Sequence, residues 1–320
     1  MRMRGQISQA IAGAAVAALA ALSIPADQQS VLKHEVESFH RDGFLIKRAM
    51  MSPEEMALIH AALETDKSLG KHAMRNNDDA GGFSKVTLFA PLDNGTLGTS
   101  LRLVRFVHLL RALLDERTDV MHWMTRIIDK PPNCGGEWTW HQDFGYWRQD
   151  GFRRPDMMTV YLAVDNQTME NGPLRLLRGS HQIGVAQHST QGSASRGVDS
   201  EQLNDALHRF PEEVPMLQSG DVMFIDSLLY HTSSGNKSPT HRRALTAVFT
   251  RADNVGDDGT CCRRVVDVDD MALLQQGAVI GVDAAGLVEP HGYVGEEARR
   301  RHGYVPWVAG WNVPSTHLDG

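Results

Sequence analysis

Apolar residues change their spacing along this chain near residue 119. Upstream they recur at helical intervals: Met56, Ile59 and Leu63, then Leu101, Val104, Val107, Leu110 and Leu113. Ser52-Pro53-Glu54-Glu55 reads as a helix start, with Ser as N-cap, Pro at the first position and acids in the first turn. Residues 31–65 and 99–115 are therefore predicted to be largely helical. Residues 71–86, polar and Gly-containing, are predicted to be a loop. Downstream, short β-branched and aromatic runs alternate with turn signals. The predicted strands are Asp119 to Ile128, Gly135 to Phe144, Met157 to Val164, Leu174 to Leu177, Asp221 to Ile225 and Ala244 to Thr250. Residues 184–198 are rich in Ser, Gly and Gln without periodicity, which suits a lid or binding loop. Beyond about 255 the pattern weakens. The expected organisation is a mainly β domain over 31–255 with a helical N-terminal layer. An Ala-rich extension or targeting segment covers 1–30. A C-terminal extension at 256–320 packs on that domain or trails it.

Composition narrows the picture little but usefully. A chain of 320 residues with 42% apolar content can build one large β-rich domain. A net charge of −7 argues against a nucleic-acid partner. The expected partner is a small molecule; oligomeric state is not legible. Cys134, Cys261 and Cys262 are three, with two adjacent, which is no disulfide framework and fits a reducing compartment. Arg2 and Arg4 precede an Ala-rich run, Ala10 to Leu22, with no acid before Asp27. The run is too short to span a bilayer. It reads equally as a signal peptide, a transit segment, a helical extension or sequence upstream of the true start. The expectation is a mature protein in the cytoplasm or an organelle lumen.

The candidate chemistry sits in Trp138-Thr139-Trp140-His141-Gln142-Asp143-Phe144-Gly145-Tyr146-Trp147, with His231-Thr232-Ser233 and Arg242-Arg243 downstream. Two His and one carboxylate can hold Fe(II) on one face and leave the other open to O2 and an organic co-substrate. An Arg can grip a carboxylate of that co-substrate through two parallel hydrogen bonds. H-x-D alone is weak, because His40-Arg41-Asp42 and His317-Leu318-Asp319 match as well. His40 ends a helix-like stretch, where residues i and i+2 diverge. No later His can complete a site with His317. His141 follows the turn-rich segment 131–136 and is predicted to lie on a strand, which places His141 and Asp143 on one face. A later adjacent strand supplies His231, and the 90 residues between leave room for the strands of a double-sheet jelly roll. One of Arg242 and Arg243 must point inward, but alternation does not say which. Arg242 shares a face with Ala244, Thr246 and Val248; Arg243 shares one with Leu245, Ala247 and Phe249. Trp140, Tyr146 and Trp147 either wall a pocket or fill core. Lys130 could reach a carboxylate, but before Pro131-Pro132 it reads as solvated.

His141-Gln142-Asp143, Asn171-Gly172-Pro173-Leu174, Arg178-Gly179-Ser180-His181, Gly220-Asp221-Val222 and His231 with Arg242 together resemble the phytanoyl-CoA dioxygenase family. The resemblance covers about residues 31–250. It implies a double-stranded β-helix of the jelly-roll, cupin-like kind that uses Fe(II), 2-oxoglutarate and O2. It implies that His141, Asp143 and His231 are the catalytic iron ligands. It also implies that Arg242, and less directly Ser233, bind 2-oxoglutarate. Arg178 departs from the family, which commonly has Pro there, and His181 reads as structural. Trp140 to Trp147 is most similar to ectoine hydroxylase and proline 4-hydroxylase-like members, which implies hydroxylation of a small amino-acid-like molecule. The alternatives are an acyl-CoA 2-hydroxylase of phytanoyl-CoA type and a non-catalytic cupin-like metal-binding protein. Asp143 argues against a halogenase, which must vacate that position.

Overall fold

The computed structural model describes residues 26–66, 69, 73–89, 92, 95–114, 118–191, 195–255 and 262–277. The expected targeting segment up to residue 25, His317 and residues 278–320 lie outside these. In chain order the first elements are α1 (Ala26–Asp42), β1 (Phe44–Lys47), α2 (Pro53–Thr65), β2 (Met74–Asn77), β3 (Phe83–Phe89), α3 (Thr96–Ser100) and α4 (Val104–Leu114). The central run holds β4 (Val120–Lys130), β5 (Trp138–His141), α5 (Asp143–Trp147), β6 (Met157–Ala163), β7 (Leu174–Leu177), β8 (His188–Gln191) and β9 (Ser195–Val198). Then come α6 (Ser200–Arg209), β10 (Glu212–Glu213), β11 (Val222–Asp226), β12 (His231–Ser233), β13 (Arg242–Arg251), β14 (Arg263–Arg264) and α7 (Ala272–Gln276). No helix among the described residues is long and apolar enough to cross a membrane.

The larger sheet runs β1-β11-β6-β13-β4-β3-β2, with β14 added to β4; the smaller runs β10-β7-β12-β5. Both are antiparallel and lie face to face as a jelly roll. Tyr161, Ala163, Met223, Ile225 and Ala244 of the larger sheet meet Leu174 and Leu176 of the smaller one in a shared core. The other face of the larger sheet carries the helical layer. Val160, Leu162, Phe224, Leu245, Ala247 and Phe249 pack there against Ile59, Phe106 and Leu110. A central strand buried on both sides reads as a continuous apolar run, and all seven residues of β6 are buried.

Local signals explain the helix ends. The Ser52 hydroxyl accepts from Glu55 N at 3.2 Å and the Glu55 carboxylate accepts from Ser52 N at 2.8 Å. This capping box satisfies two amides that the first turn leaves free. The sequence predicts helix through 44–47, where the structure has β1. Gly43, at φ 82°, stops α1 and lets its amide bond back to Phe39 O at 2.7 Å.

Two predicted loops are strands. Residues 71–86 contain β2 and the start of β3, which form a hairpin at the edge of the larger sheet. Its turn is held by the Asp78 carboxylate, which accepts from Ala80 N at 3.0 Å and Gly82 N at 2.6 Å. Polar residues are ordinary on an edge strand, so composition misled the prediction. Within 184–198, β8 and β9 form a second hairpin. At the C-terminal side, β14 pairs with β4, Val268 bridges to Leu103, and Leu273 of α7 is buried in the helical core.

The Gly220–Asp221 turn launches β11. Gly220 has φ 92°, and a Cβ there would stand 2.6 Å from Met51 O. The buried Asp221 carboxylate accepts from Arg48 Nη1 at 2.6 Å, Ala49 N at 2.8 Å and Gln218 N at 2.9 Å. Burial pushes this carboxyl up, but the two amides and the Arg48 guanidinium outweigh it and hold it below its ordinary value. A depressed carboxylate stabilises the fold at neutral pH and loses that effect as pH falls through its folded-state value. Asp221→Ala strands two amides, so it is expected to cost about 1–3 kcal/mol. Urea unfolding at pH 7 and pH 3 checks this: the gap between variant and wild type should shrink in acid.

Candidate active site

His141 ends β5 and pairs in register with His231, which opens β12. Their rings lie 4.1 Å apart, centroid to centroid. The Nε2 atoms of His141 and His231 stand 3.9 and 4.0 Å from Asp143 Oδ1. Each residue offers one donor atom, and these atoms all fall within 4.8 Å of one another. All three residues are buried.

The sequence places His141 and Asp143 on one strand; the structure corrects this. The strand stops at His141, Gln142 serves as N-cap, and Asp143 is the first residue of α5. The side chains still converge because the chain turns between them. The register between β5 and β12 also shifts: His231 pairs with His141, but Ser233 pairs with Trp138. The four residues of β5 thus oppose three of β12, a bulge that re-aims side chains. Trp138 joins His141 on the cavity wall. Trp140 packs instead on the outer face, with the Arg175 guanidinium 5.6 Å from its ring centroid. Tyr146 and Trp147 are core, and the Tyr146 ring meets the His141 ring edge-on at 5.5 Å.

The donor set suits a divalent metal. His141 Nδ1 donates to Thr139 O at 2.8 Å and His231 Nδ1 to Leu229 O at 2.9 Å. A carbonyl can only accept, so both rings carry a proton on Nδ1, which leaves Nε2 as the atom turned to a metal. Asp143 Oδ2 accepts from the Thr159 hydroxyl at 2.6 Å, which leaves Oδ1 facing the two imidazoles. Burial, reinforced by electrostatic repulsion from the neighbouring His231 ring, pushes His141 down to about 3. Burial works to raise Asp143, but His231, Arg126, His141 and Thr159 together hold it below its ordinary value. A neutral imidazole beside an ionised carboxylate is the protonation state a metal ion needs.

The cavity around these donors holds about 470 Å³ of atom-free space, including solvent at its mouth. Arg242 and Ser233 line it, as do Arg126, Tyr161 and Thr246. Arg242 is 1% exposed. Its Nε and Nη2 donate to Gly172 O at 3.0 and 2.5 Å, and its Nη1 donates to the Tyr161 hydroxyl at 3.1 Å. Arg243 points to the helical side and pairs with Asp165 at 2.9 Å and Glu64 at 2.5 Å.

Lys130 is not solvated as the sequence suggests. It is 0% exposed and sits directly across from Arg242 in the β4–β13 register. Its Nζ donates to Ser233 Oγ at 2.8 Å and Ser234 O at 2.5 Å. Burial, with the neighbouring Arg242 charge, takes its pKa well below the ordinary lysine value. The hydrogen bonds of Arg242 and Lys130 among the described residues all go to neutral oxygens. This end of the cavity is therefore built for an anion.

Sequence reading set Lys130 aside as solvated and missed Thr159, Tyr161 and Arg126 as site residues. Only Arg126 carried a signal, as a lone cation inside a predicted strand. Of the two expected lids, 71–86 is an edge hairpin. The β8–β9 hairpin stands against the site: His188 Nε2 accepts from Gln142 N at 3.0 Å. His40 and Asp42 lie on the last turn of α1, away from the cavity. His181 bonds the His40 carbonyl at 3.0 Å, and Arg178 pairs with Glu213 at 3.0 Å.

The sequence profile of the phytanoyl-CoA dioxygenase family, PhyH, matches residues 39–244. An ectoine dioxygenase from Stutzerimonas stutzeri is 30% identical over 241 residues, covering 68% of this chain and 76% of its own. An L-proline trans-4-hydroxylase from Streptomyces griseoviridis is 28% identical over 170 residues, 48% of this chain and 62% of its own. The crystal structure of EctD from S. alaskensis with 2-oxoglutarate and 5-hydroxyectoine has a similar fold. Its TM-score is 0.58 at 23% identity, over 73% of this chain and 78% of that one.

Proposed function

This chain belongs to the phytanoyl-CoA dioxygenase family and is a 2-oxoglutarate-dependent dioxygenase, and we propose that it hydroxylates an unactivated C–H bond of a small, amino-acid-like molecule. The observation that carries this reading is the buried His141–Asp143–His231 cluster with both Nδ1 atoms committed to carbonyls. In this reading His141, Asp143 and His231 hold Fe(II). Bound there, Fe(II) supplies the O2 chemistry that couples hydroxylation to breakdown of 2-oxoglutarate. One oxygen atom enters the product and the other enters succinate, with loss of CO2.

The protein's own contribution is placement. Thr159 fixes the Asp143 carboxylate, and the Thr139 and Leu229 carbonyls fix the two rings. Arg242 takes the distal carboxylate of 2-oxoglutarate, with the Ser233 hydroxyl and Lys130 beside it. Ile128, Trp138 and Leu174 give the cavity apolar walls, which exclude water from the reacting C–H bond. The cavity size favours a small substrate over an acyl-CoA, since its whole space must hold 2-oxoglutarate as well.

Iron-loaded protein should release succinate in proportion to hydroxylated product with a member of a panel of free amino acids and compatible solutes. Mass spectrometry of product against succinate decides this. Efficient coupling with an acyl-CoA, and none across the panel, would promote the acyl-CoA 2-hydroxylase reading. Iron binding with no 2-oxoglutarate consumption under any condition would leave only a metal-binding protein.

A further inference from the structure

Arg126 is a cation inside the cavity that helps to keep Asp143 ionised but, among the described residues, makes no hydrogen bond to the iron donors or to the 2-oxoglutarate end. It lies on β4, on the same face as Ile128 and Lys130, because residues two apart on a strand share a face. Across the register from it is Thr246 of β13, and both residues line the cavity with the triad. Its Nε is sealed from solvent and has no hydrogen-bond partner among the described residues. A buried cationic donor without a partner is costly, so a ligand that pairs with it is favoured. Asp143 is its charged neighbour, but that carboxylate is already engaged. One oxygen holds the Thr159 hydroxyl and the other faces two imidazoles.

Charge accounting points the same way. The cavity wall carries Arg126 and Arg242, with Lys130 behind Ser233, against the single carboxylate of Asp143. Fe(II) and the 2-oxoglutarate dianion cancel one another. Even with Lys130 neutral, one positive charge remains unbalanced. Arg126 and Lys130 are four residues apart on one strand, roughly 13 Å at the usual rise. The distal carboxylate, held by Arg242 beside Lys130, is thus out of reach of Arg126. Both co-substrate carboxylates are already counted against Fe(II), so the anion that balances Arg126 comes with the other ligand.

We propose that Arg126 receives an anionic group, a carboxylate, of the prime substrate and so selects acids over their neutral analogues. This rests on the small-substrate hydroxylase reading above. Substrates of this class carry a carboxylate beside an apolar carbon frame. The frame would lie along Trp138 and Ile128, and the Arg126 fork would match the two carboxylate oxygens.

The test pairs each acid in the panel of amino acids and compatible solutes with its carboxamide, including L-proline and L-prolinamide. For the member turned over fastest, wild type should favour acid over amide by roughly 10- to 100-fold in kcat/KM, the loss expected for one charge-assisted pair. Arg126→Gln should erase that preference, mainly through KM for the acid. Arg126→Lys should restore part of it. Calorimetric affinity for 2-oxoglutarate, read separately, should stay within about threefold of wild type, given the separation along β4. If Arg126→Gln fails to fold, the wild-type acid-to-amide ratio and the Lys variant still decide. A wild type that turns over the amide as well as the acid overturns the proposal and leaves the hydroxylase reading standing. So does an Arg126→Gln variant that keeps the preference. Turnover confined to acyl-CoAs, or absent across the whole panel, instead overturns the reading on which the proposal rests.

Discussion

His141→Ala and His231→Ala should each reduce 2-oxoglutarate-dependent turnover to background. With one imidazole gone, two donors remain and the metal is no longer gripped on one face. Folding should survive, because both rings border a cavity rather than fill the apolar core between sheets and helices. Melting curves near wild type, together with lost Fe(II) binding in anaerobic equilibrium dialysis, would separate loss of the site from loss of the fold. Thr159→Val is a milder variant of the same experiment. It removes the hydroxyl from Asp143 Oδ2, a 2.6 Å bond, while keeping the side-chain shape. Orienting partners of metal ligands are worth about 10- to 100-fold in affinity or activity, so Thr159→Val should fall in that range. Retained turnover in both His variants would remove these residues from the metal centre altogether.

The sequence carried the identity of these donors but not their local setting. His141, Asp143 and His231 are picked out by residue type and spacing, and a jelly roll brings such residues together across neighbouring strands. The end of β5 at His141 was not legible. The apolar run continues through Phe144 and Tyr146 into α5, and a run of that kind does not separate strand from helix. The bulge that turns Trp138 inward and Trp140 outward depends on pairing with β12, a partner more than 80 residues away. No local pattern encodes it. Lys130 was misread for a related reason. Its position before two prolines looks like a solvated strand end, but the Ser233–Ser234 carbonyls and hydroxyl that satisfy its ammonium come from the other sheet. The β2–β3 hairpin escaped because its polar edge carries none of the alternation that marks a half-buried strand.

The two faces of β13 show where alternation runs out. Both are buried, one against the helical layer and one against the cavity, so hydrophobicity could not orient Arg242 and Arg243. What orients them is the neighbours. Leu245, Ala247 and Phe249 belong to the core under the helices, and Arg243 shares their side. Ala244 and Thr246 face the interior, and Arg242 goes with them. Arg243 then finds Asp165 and Glu64 near the surface. The resemblance to the family chose Arg242, and the register gives the physical reason for its burial.

Arg242→Ala is expected to raise the 2-oxoglutarate requirement by on the order of 10- to 100-fold, since a hydrogen bond to a charged group is worth roughly 1.5–3 kcal/mol. The guanidinium already holds the Gly172 carbonyl and the Tyr161 hydroxyl. Those contacts fix its plane before any ligand arrives, and removal also strands Gly172 O, so some loss of stability should accompany the change. Binding measured well below the melting temperature keeps the two effects apart. Arg243→Ala is the matched control one residue away. It gives up partly exposed ion pairs worth about 0–1 kcal/mol, and 2-oxoglutarate affinity should not move. The pattern against Arg126→Gln should be reciprocal: Arg242→Ala raises KM for 2-oxoglutarate, Arg126→Gln raises KM for the acid substrate. A larger 2-oxoglutarate defect in Arg243→Ala than in Arg242→Ala would place the co-substrate on the wrong side of β13 and remove Arg242 from its binding.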